Sequence, residues 1–557
     1  MGELTLKKIY SFVLSAILTI SVVVTGCGNQ ANQSDGGKTD QGESKNEGTA
    51  EVDRAHTLVW SVPATPNGLD HEFHYSLEAM EAEVNMYDSA LRYPLRSDES
   101  GFLVPDFTKV EGSLAESWEI SDDGKVVTVH LRQGVMSHSG NELTADDFIY
   151  KQERAWELNG AVKNFGGDGL KLYDLKQLKK IDKYTFQITL DSPNPVSESM
   201  LTHLVQHLFD SVEVKAKATA EDPWGAKYMA SNGSGHGPYK MVSFKPGQEV
   251  VFEAFNDYWD KENAPWFQKV IMKEVPSSAN RVALLVSGAV DAATYLTANE
   301  LKEIEGKPGV KVYHWSSNLI QRVEFNQSKP PFDNGLVRKA LSYATPYEEI
   351  LSSVYMGTAK QAKSIIPSTY PGFTDKFWNY KLDLEKAKEL LKQAGYENGF
   401  KTTLTINAGI PQEEQIAIIL KTSFAKIGVD LEIKKVQTGD YYNQVANHSF
   451  EGMYIFQDMP GVVDGAFPIG LWAQNPSTQN IGEYNNEEVN KLYKETTTLD
   501  QTKRNQLIER LQEIIVDEDP IWIFLAEPGY HLAMRDDIKN PAWQTLQQIR
   551  WNNLTRN

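Results

Sequence analysis

Histidine pairs are the first candidates for chemistry in this sequence. His203 and His207 are four residues apart in a run with helical spacing, which would place two imidazoles on one face, and His71 and His74 are three apart. Imidazole is a common ligand of zinc, copper and nickel. Neither pair has a nearby carboxylate in the arrangement of a zinc protease. We therefore interpret these residues as surface or core histidines and predict no metal ligands and no cofactor.

Nucleophilic catalysis has little support in the sequence. The Gly-x-Ser-x-Gly pattern of a nucleophile elbow is missing, and the chain has a single cysteine, Cys27. We predict no catalytic residues and no enzyme activity. A lipid-anchored hydrolase is the alternative from another functional class, and turnover of a candidate substrate would favour it over a receptor, which should only bind.

A glycine-rich stretch, SNGSGHG at residues 231–237, is similar in composition to a phosphate-binding loop. Such a loop leads into a helix whose N-terminal amides face the anion. Residues 238–244 have the composition of a strand instead. The sequence therefore favours a turn between strands.

The N-terminal residues have the order of a secretory signal. Lys7 and Lys8 precede a charge-free run at residues 9–24, and small residues follow up to Cys27. The run is interrupted by Ser and Thr and is shorter than the roughly 20 apolar residues of a membrane span. It resembles a bacterial lipoprotein signal, whose cysteine receives the lipid. The resemblance implies a signal peptide at residues 1–26 and a mature chain held by Cys27 on the extracytoplasmic face of the cell membrane.

Composition indicates a large globular body behind this segment. The chain has 557 residues, 41% of them hydrophobic and 23% charged, enough for two or three domains. A net charge of −20 argues against a nucleic-acid partner, because little is available to neutralise phosphates. Residues 27–51 are rich in Gly, Asn, Gln and Ser, which predicts a flexible linker. We expect a monomer.

The elements that must position a site differ between the two halves of the body. Asp123-Gly124 lies between two β-prone runs and predicts a hairpin, and Thr144 with Asp147 predicts the start of a helix. From about residue 269, strands alternate with helices that are capped by Asp383 and Asp500. This alternation predicts an α/β fold with a mostly parallel sheet in the second half.

Several stretches resemble one family, the bacterial solute-binding proteins of the oligopeptide, dipeptide and nickel ABC importers. They are LAESW at 114–118, SDDG at 121–124, VHLRQGV at 129–135, LTADDF at 143–148, GPYK at 237–240, NDYW at 256–259, FN at 325–326, PF at 331–332 and VRKAL at 337–341. The resemblance implies an α/β (α+β) fold of the two-lobed periplasmic-binding-protein type II class, with an extra small domain. Lobe I would comprise residues 52–97, 196–273 and 522–557, the small domain 98–195, and lobe II 274–521.

The resemblance also implies where a ligand would bind. Peptide-binding members hold the amino group with an aspartate in a Trp-x-x-Asp-Tyr stretch; Asp458 is the counterpart here, although the tryptophan is absent and the segment looks about two residues short. Phe456, Tyr454 and, in the turn at residues 63–70, Asn67 are the other predicted ligand-binding residues. Pro66 in that turn cannot donate a backbone hydrogen bond to an added peptide strand.

The predicted function is that of a lipid-anchored receptor that captures an oligopeptide between two lobes and delivers it to an ABC-transporter permease. An oligosaccharide is the alternative ligand, because 12 Trp and 24 Tyr offer faces on which sugars can stack. The alternative interpretation of Asp458 is the start of a turn before Met459 and Pro460.

Overall fold

Two main β-sheets organise the computed structural model, which describes residues 53–163 and 169–557. The predicted signal peptide, the linker and Cys27 lie outside the described residues. No helix among the residues the structure describes is long and apolar enough to cross a membrane.

The first sheet has seven strands and mixed pairing. Their spatial order is Tyr239–Lys245, Glu249–Ala254, Lys269–Glu274, Thr57–Val62, Ala292–Ala293, Tyr530–Arg535 and Val310–Trp315. Trp60 and Leu532 are buried in the larger core on one face, and Val59 and Ala533 in a smaller core on the other. Alternate side chains of a strand point to opposite faces, so both faces of this sheet are covered.

The second sheet has six strands, in the order Ala359–Lys360, Trp522–Pro528, Ile320–Phe325, Met453–Asp458, Phe400–Asn407 and Val429–Val436. The prediction of a mostly parallel sheet was wrong. Phe400–Asn407 pairs in parallel with both of its neighbours, whereas the other three pairings are antiparallel. The antiparallel strands Ile320–Phe325, Ala359–Lys360 and Trp522–Pro528 lie near the two ends of this half of the chain. Within the residues that the structure describes, no single helical crossover connects any of them directly to the strand with which it pairs.

A small four-stranded antiparallel sheet lies within residues 98–195. Its strands are Ala115–Ile120, Val126–Leu131, Thr185–Thr189 and Leu178–Lys180 in spatial order. The predicted hairpin is confirmed, because Gly124 adopts a φ of 68° in the turn between the first two strands. The predicted helix cap is also confirmed, since the Asp147 carboxylate accepts the Thr144 backbone N–H at 2.7 Å.

The chain crosses between the main sheets at residues 316–319 and again at Gly529. The predicted boundaries at residues 274 and 522 therefore do not match the sheets. Val310–Trp315 belongs to the first sheet and Trp522–Pro528 to the second, the reverse of the prediction. A fully buried strand has the same apolar pattern in either sheet, so the pattern cannot identify the partner. Below, lobe I contains the first sheet and lobe II the second.

Helices cover the faces of both main sheets. In lobe I and the small domain they are Leu77–Met86, Ala145–Leu158, Ser197–Thr202, Ser211–Lys217, Ala226–Met229, Ser278–Val286 and Ala298–Ile304. In lobe II they are Gly335–Tyr343, Tyr347–Ser353, Leu384–Gln393, Pro411–Ala425, Thr438–Ala446, Phe467–Trp472, Glu487–Glu495 and Gln501–Glu513. The predicted caps are confirmed: Asp383 accepts the N–H of Lys386 and Asp500 that of Lys503.

Short two-stranded pairings complete the fold. They join Leu91–Arg92 to Glu111–Gly112, Leu95–Ser97 to Leu103–Pro105, and Ile538–Lys539 to Thr555–Arg556. The second of these is a hairpin at the junction of the lobes. Phe107, which follows it, packs on Tyr370 of lobe II and on Trp543 of lobe I. This hairpin therefore forms part of the wall between the two lobes.

Candidate functional site

A cavity of about 550 Å³ lies at the junction of the two lobes. Its volume is in the usual range for small-molecule sites, which is roughly 300–1,000 Å³. Side chains of both lobes and of the hairpin line it, including Arg96, Asp98, Glu99, Trp315, Lys360 and Glu527. The cavity walls therefore combine aromatic surface with charges of both signs.

Hydrogen bonds connect the two crossing segments to each other and to the edge strand of lobe II. The Ser317 hydroxyl donates to the Pro528 carbonyl, and the Lys360 ammonium donates to the Ser316 hydroxyl at 2.7 Å. The Gly529 N–H donates to the Thr358 carbonyl at 2.8 Å. These contacts tie the edge strand of lobe II to both crossings.

Glu527 is a buried carboxyl group in the wall of the cavity. It accepts hydrogen bonds from the backbone N–H of Ser368, at 2.9 Å, and from the hydroxyl of the same serine. Burial raises the pKa of Glu527 to about 7, against the opposing effect of these bonds and of the Lys360 charge. This side chain can therefore hold or release a proton near neutral pH.

Asp458 ends the lobe II strand Met453–Asp458 and pairs in register with Ile320, the first residue after a crossing. Its carboxylate accepts the N–H of Met459 at 2.8 Å. Burial raises the pKa of Asp458, and the nearby Arg322 charge partly offsets that rise. Asp458 is half-buried and does not line the cavity, so it lies on lobe II near the junction but outside the cavity wall.

Arg322 is a fully buried cation behind Asp458. Its guanidinium lies over three aromatic rings, at 4.1 Å from Trp522, 4.6 Å from Trp472 and 5.1 Å from Phe456. Its Nε donates to Glu324 at 2.8 Å. Cation–π contacts and one ion pair stabilise this charge in the interior.

The structure brings Tyr454 and Phe456 onto the same strand face as Asp458 but uses both for packing. The Tyr454 hydroxyl donates to Glu324 at 2.6 Å, and its ring stacks on Phe450 at 4.1 Å. Tyr454 is fully buried and Phe456 only 8% exposed. Asn67 is exposed on its lobe I turn and does not line the cavity. The predicted ligand residues therefore do not form one binding surface.

The lobes are in contact across the face next to Asp458. Met459 packs against an apolar cluster of lobe I and the small domain that contains Leu77, Met80 and Leu546. Val462 is buried in the small-domain core, and the Ser199 hydroxyl donates to the Val463 carbonyl at 3.1 Å. The structure therefore represents a closed arrangement of the lobes.

The histidines first considered for chemistry are core residues. His71, His203 and His207 are buried, and burial lowers the pKa of all three, that of His203 to about 3. His74 is half-buried and bonds the Asp70 carbonyl. Within residues 53–163 and 169–557, no group of three His, Cys, Asp or Glu side chains could hold a metal ion.

Sequence reasoning missed Arg322, Glu527 and the Thr358 carbonyl. Arg322 and Glu324 are two apart in a strand that also contains Ile320, Val323 and Phe325, and Glu527 follows the apolar run at residues 521–526. Charged residues inside such runs are rarely buried unless paired, so this interruption was the available signal. No signal in the sequence points to a backbone carbonyl such as that of Thr358.

Comparisons with known proteins place this architecture in a family. The model of the bacterial extracellular solute-binding proteins, family 5 (middle), matches residues 109–480. The heme-binding protein A of Haemophilus influenzae is 29% identical over 437 residues, covering 75% of this chain and 79% of that protein. The dipeptide-binding protein of Escherichia coli is 25% identical over 524 residues, covering 90% and 95%.

A solved structure has the same two-lobed fold. The periplasmic binding protein DppA of Helicobacter pylori, in complex with the peptide STSA, aligns with a TM-score of 0.76 and 26% identity, covering 90% of this chain and 98% of that one. The predicted fold class is confirmed by this match. The chain belongs to the family 5 bacterial extracellular solute-binding proteins and is the non-enzymatic substrate-binding protein of an ABC importer.

Proposed function

We propose that this protein captures an oligopeptide at the junction of its two lobes and delivers it to the permease of an ABC importer. The observation that carries the proposal is the presence of charges of both signs in the cavity wall, with Arg96 and Lys360 as cations and Asp98, Glu99 and Glu527 as carboxyl groups. A peptide carries an ammonium group at one end and a carboxylate at the other. Arg96 and Lys360 would bind the carboxylate end through charge-assisted hydrogen bonds and so orient the peptide.

Asp458 supports the same proposal from outside the cavity wall. Arg322 is already paired with Glu324, so the three charges sum to −1 when all are ionised. An ammonium group near Asp458 would balance that excess in a partly desolvated place. Asp458 is therefore the residue that we assign to the amino end.

Heme is a second candidate ligand, because a relative at 29% identity is named a heme-binding protein. Heme needs large apolar surfaces and an iron ligand. The histidines lining the cavity, His314 and His531, bond each other through their Nδ1 atoms, and five charged side chains line the same space. These features favour the peptide.

The ligand can be tested by calorimetry and native mass spectrometry of the purified protein. Peptide pools of two to five residues, glutathione, hemin and oligosaccharides would be offered separately. We expect stoichiometric binding of peptides without turnover. Binding of hemin or an oligosaccharide with no peptide binding would overturn the proposal, and turnover of any ligand would favour the hydrolase.

We also propose that Cys27 carries a lipid and holds the protein on the extracytoplasmic face of the membrane. The basic residues, the charge-free run and the position of the single cysteine support this. A single acyl chain gives only marginal anchoring, so at least two are expected for stable attachment. A receptor held in this way stays close to its permease.

A further inference from the structure

Two histidines face each other where the chain crosses between the lobes. His314, on Val310–Trp315, lies directly opposite His531, on Tyr530–Arg535. Their Nδ1 atoms are 2.8 Å apart, and the rings meet at 65°. Both side chains line the cavity.

The remaining nitrogens of the two rings fix where protons must be. His531 Nε2 is 3.0 Å from the carbonyl oxygen of Thr358, and His314 Nε2 is 3.3 Å from a carboxylate oxygen of Glu305. A carbonyl and a carboxylate only accept hydrogen bonds. Each Nε2 therefore carries a hydrogen.

Two neutral rings in this state would point lone pairs at each other across 2.8 Å. A proton between the Nδ1 atoms converts that repulsion into an N–H···N hydrogen bond of ordinary length. The pair therefore holds one proton more than two neutral imidazoles. Burial lowers the pKa of His531 to about 4. The N–H···N bond between the two Nδ1 atoms and the nearby Glu305 carboxylate act against that burial and hold the extra proton on the pair.

Thr358 links this proton to the position of lobe II. It immediately precedes the edge strand Ala359–Lys360, and its carbonyl also accepts the N–H of Gly529 at the crossing. If the lobes open and Thr358 withdraws, His531 can move its hydrogen to Nδ1 and donate to a neutral His314. The extra proton is then no longer required.

We propose that closure of the two lobes takes up one proton at the His314–His531 pair, with the Thr358 carbonyl as the group that couples the proton to closure. Closure therefore becomes more favourable as the pH falls. The pKa of the pair is higher in the closed state than in the open state. Its contribution to closure is fully present below the open-state value and is lost as the pH rises through the closed-state value.

Other charged groups lie beside the pair or line the same cavity, and a test must distinguish their titration from that of the two histidines. They are Glu305 after the helix Ala298–Ile304, Arg96, Asp98 and Glu99 on the hairpin, Lys360 on the edge strand and Glu527 on its neighbour. Glu527 requires its own control, because burial raises its pKa to about 7. A Glu527→Gln variant removes this titration and leaves both histidines in place.

The shared proton can be observed directly by NMR of the full chain labelled with ¹⁵N at histidine. His314→Gln and His531→Gln identify the two signals. We expect the unaltered protein to show one titration step shared by both rings, with each Nε2 protonated on both sides of neutral pH. Two rings that titrate independently would overturn the shared proton, and this measurement needs only the unaltered protein if a variant fails to fold.

The coupling to closure can be measured by single-molecule energy transfer without any ligand. Dyes on Lys245→Cys in lobe I and Lys388→Cys in lobe II, with Cys27→Ser, report the ratio of closed to open molecules. We expect this ratio to rise roughly tenfold between pH 8.5 and pH 5.5, as for a pKa difference of about one unit. His531→Gln should remove the rise, and Glu527→Gln and His130→Gln should retain it.

A ratio that does not change with pH, or that changes equally in His531→Gln, would overturn the proposal. Loss of the rise in Glu527→Gln alone would also overturn it, by assigning the proton to that carboxyl. Because no ligand is present, these outcomes do not depend on whether the cargo is a peptide.

Discussion

Asp458 is the residue for which charge and geometry can be separated by one substitution. Asp458→Asn keeps an oxygen that can accept the Met459 N–H at 2.8 Å and removes the negative charge. If the carboxylate binds the amino end of a peptide, affinity should fall roughly tenfold or more, which is about 1.4 kcal/mol. Calorimetry with a peptide selected from the pools measures the change.

Glu451→Gln is the matched control, because Glu451 is exposed just before the same strand and its carboxylate pairs with Lys434 in an exposed bridge. It should leave affinity unchanged. Equal affinity for the Asp458→Asn and unaltered proteins would remove Asp458 from the site and leave it the start of a turn.

Glu413 gives a pH dependence of stability at the residue scale. This carboxyl is buried, accepts the Asn407 N–H at 2.7 Å, and has its pKa raised by burial to about 8. The folded state therefore holds a proton that the unfolded chain releases near its ordinary value of about 4.3. Its contribution to stability is present below that value and is lost as the pH rises through about 8.

Glu413→Gln should remove this loss of stability. The melting temperature of the variant, relative to that of the unaltered protein, should therefore rise as the pH is raised from 4.5 to 8.5. Glutamine keeps an acceptor for Asn407. Glu414→Gln, at a half-exposed neighbour paired with Lys435, should show no such gain. If the difference in melting temperature between the Glu413 variant and the unaltered protein were the same at both pH values, the raised pKa of Glu413 would be contradicted.

The residues of the site were predictable only in part, for a physical reason. Alternation along the strand at residues 453–458 places Tyr454, Phe456 and Asp458 on one face. What covers that face was not predictable, because Arg322 and Glu324, which contact Phe456 and Tyr454, lie about 130 residues earlier in the chain. The resemblance to peptide binders therefore names these three residues as ligand contacts, which stay a prediction, but it does not show the packing of Tyr454 and Phe456 in the core.

Gly529 lies at the second crossing between the lobes, and a substitution there tests how tightly that segment is packed. A Cβ at this position would lie 2.8 Å from the Trp315 carbonyl oxygen and 2.8 Å from a ring carbon of His531. The carbonyl belongs to the backbone and cannot move aside cheaply. Gly529→Ala should therefore cost roughly 1–3 kcal/mol of unfolding free energy, as overpacking does, measured by urea denaturation.

Gly439→Ala is the control for this substitution. Gly439 lies in the helix Thr438–Ala446, and a Cβ there meets no atom within 4 Å. Alanine should raise helix stability by up to about 1 kcal/mol. If Gly529→Ala were as benign, the crossing would be looser than its contacts indicate.

Helices and hairpins were predictable from local signals, whereas strand partners were not. The caps at Asp383 and Asp500 and the turn at Gly124 depend on bonds or dihedrals within a few residues. The apolar run at residues 521–526 is typical of a buried strand, but the pairing of Trp522–Pro528 with Ile320–Phe325 spans about 200 residues of sequence. Non-local pairing is decided by packing, which a single sequence does not display.

At the scale of the whole molecule, attachment and binding should be separable. Cys27 lies outside the described residues, and the proposal of a lipid there comes from the sequence. Cys27→Ser should release the protein from the membrane or mislocalise it, measured by fractionation, and impair uptake, while peptide affinity of the purified protein stays unchanged. Lost affinity in this variant would contradict the division between anchor and receptor.

Closure of the lobes can be tested at the contact formed by Met459. This side chain packs from lobe II against the buried cluster that contains Met80 and Leu546, so it is covered only when the lobes meet. Met459→Asp would place a charge that must lose its hydration on closing, which costs more than the loss of an apolar contact. We expect peptide affinity to fall at least tenfold, with little change in melting temperature because each lobe keeps its own core.

Small-angle scattering should then show that peptide no longer reduces the radius of gyration of the Met459→Asp variant. Met356→Asp, at a lobe II position that is 37% exposed, should behave like the unaltered protein. A binding protein stores part of its ligand affinity in lobe closure, because contacts with both lobes form only in the closed state. If Met459→Asp closed normally and bound peptide with full affinity, the contact of Met459 with the cluster that contains Met80 and Leu546 would not belong to the bound state.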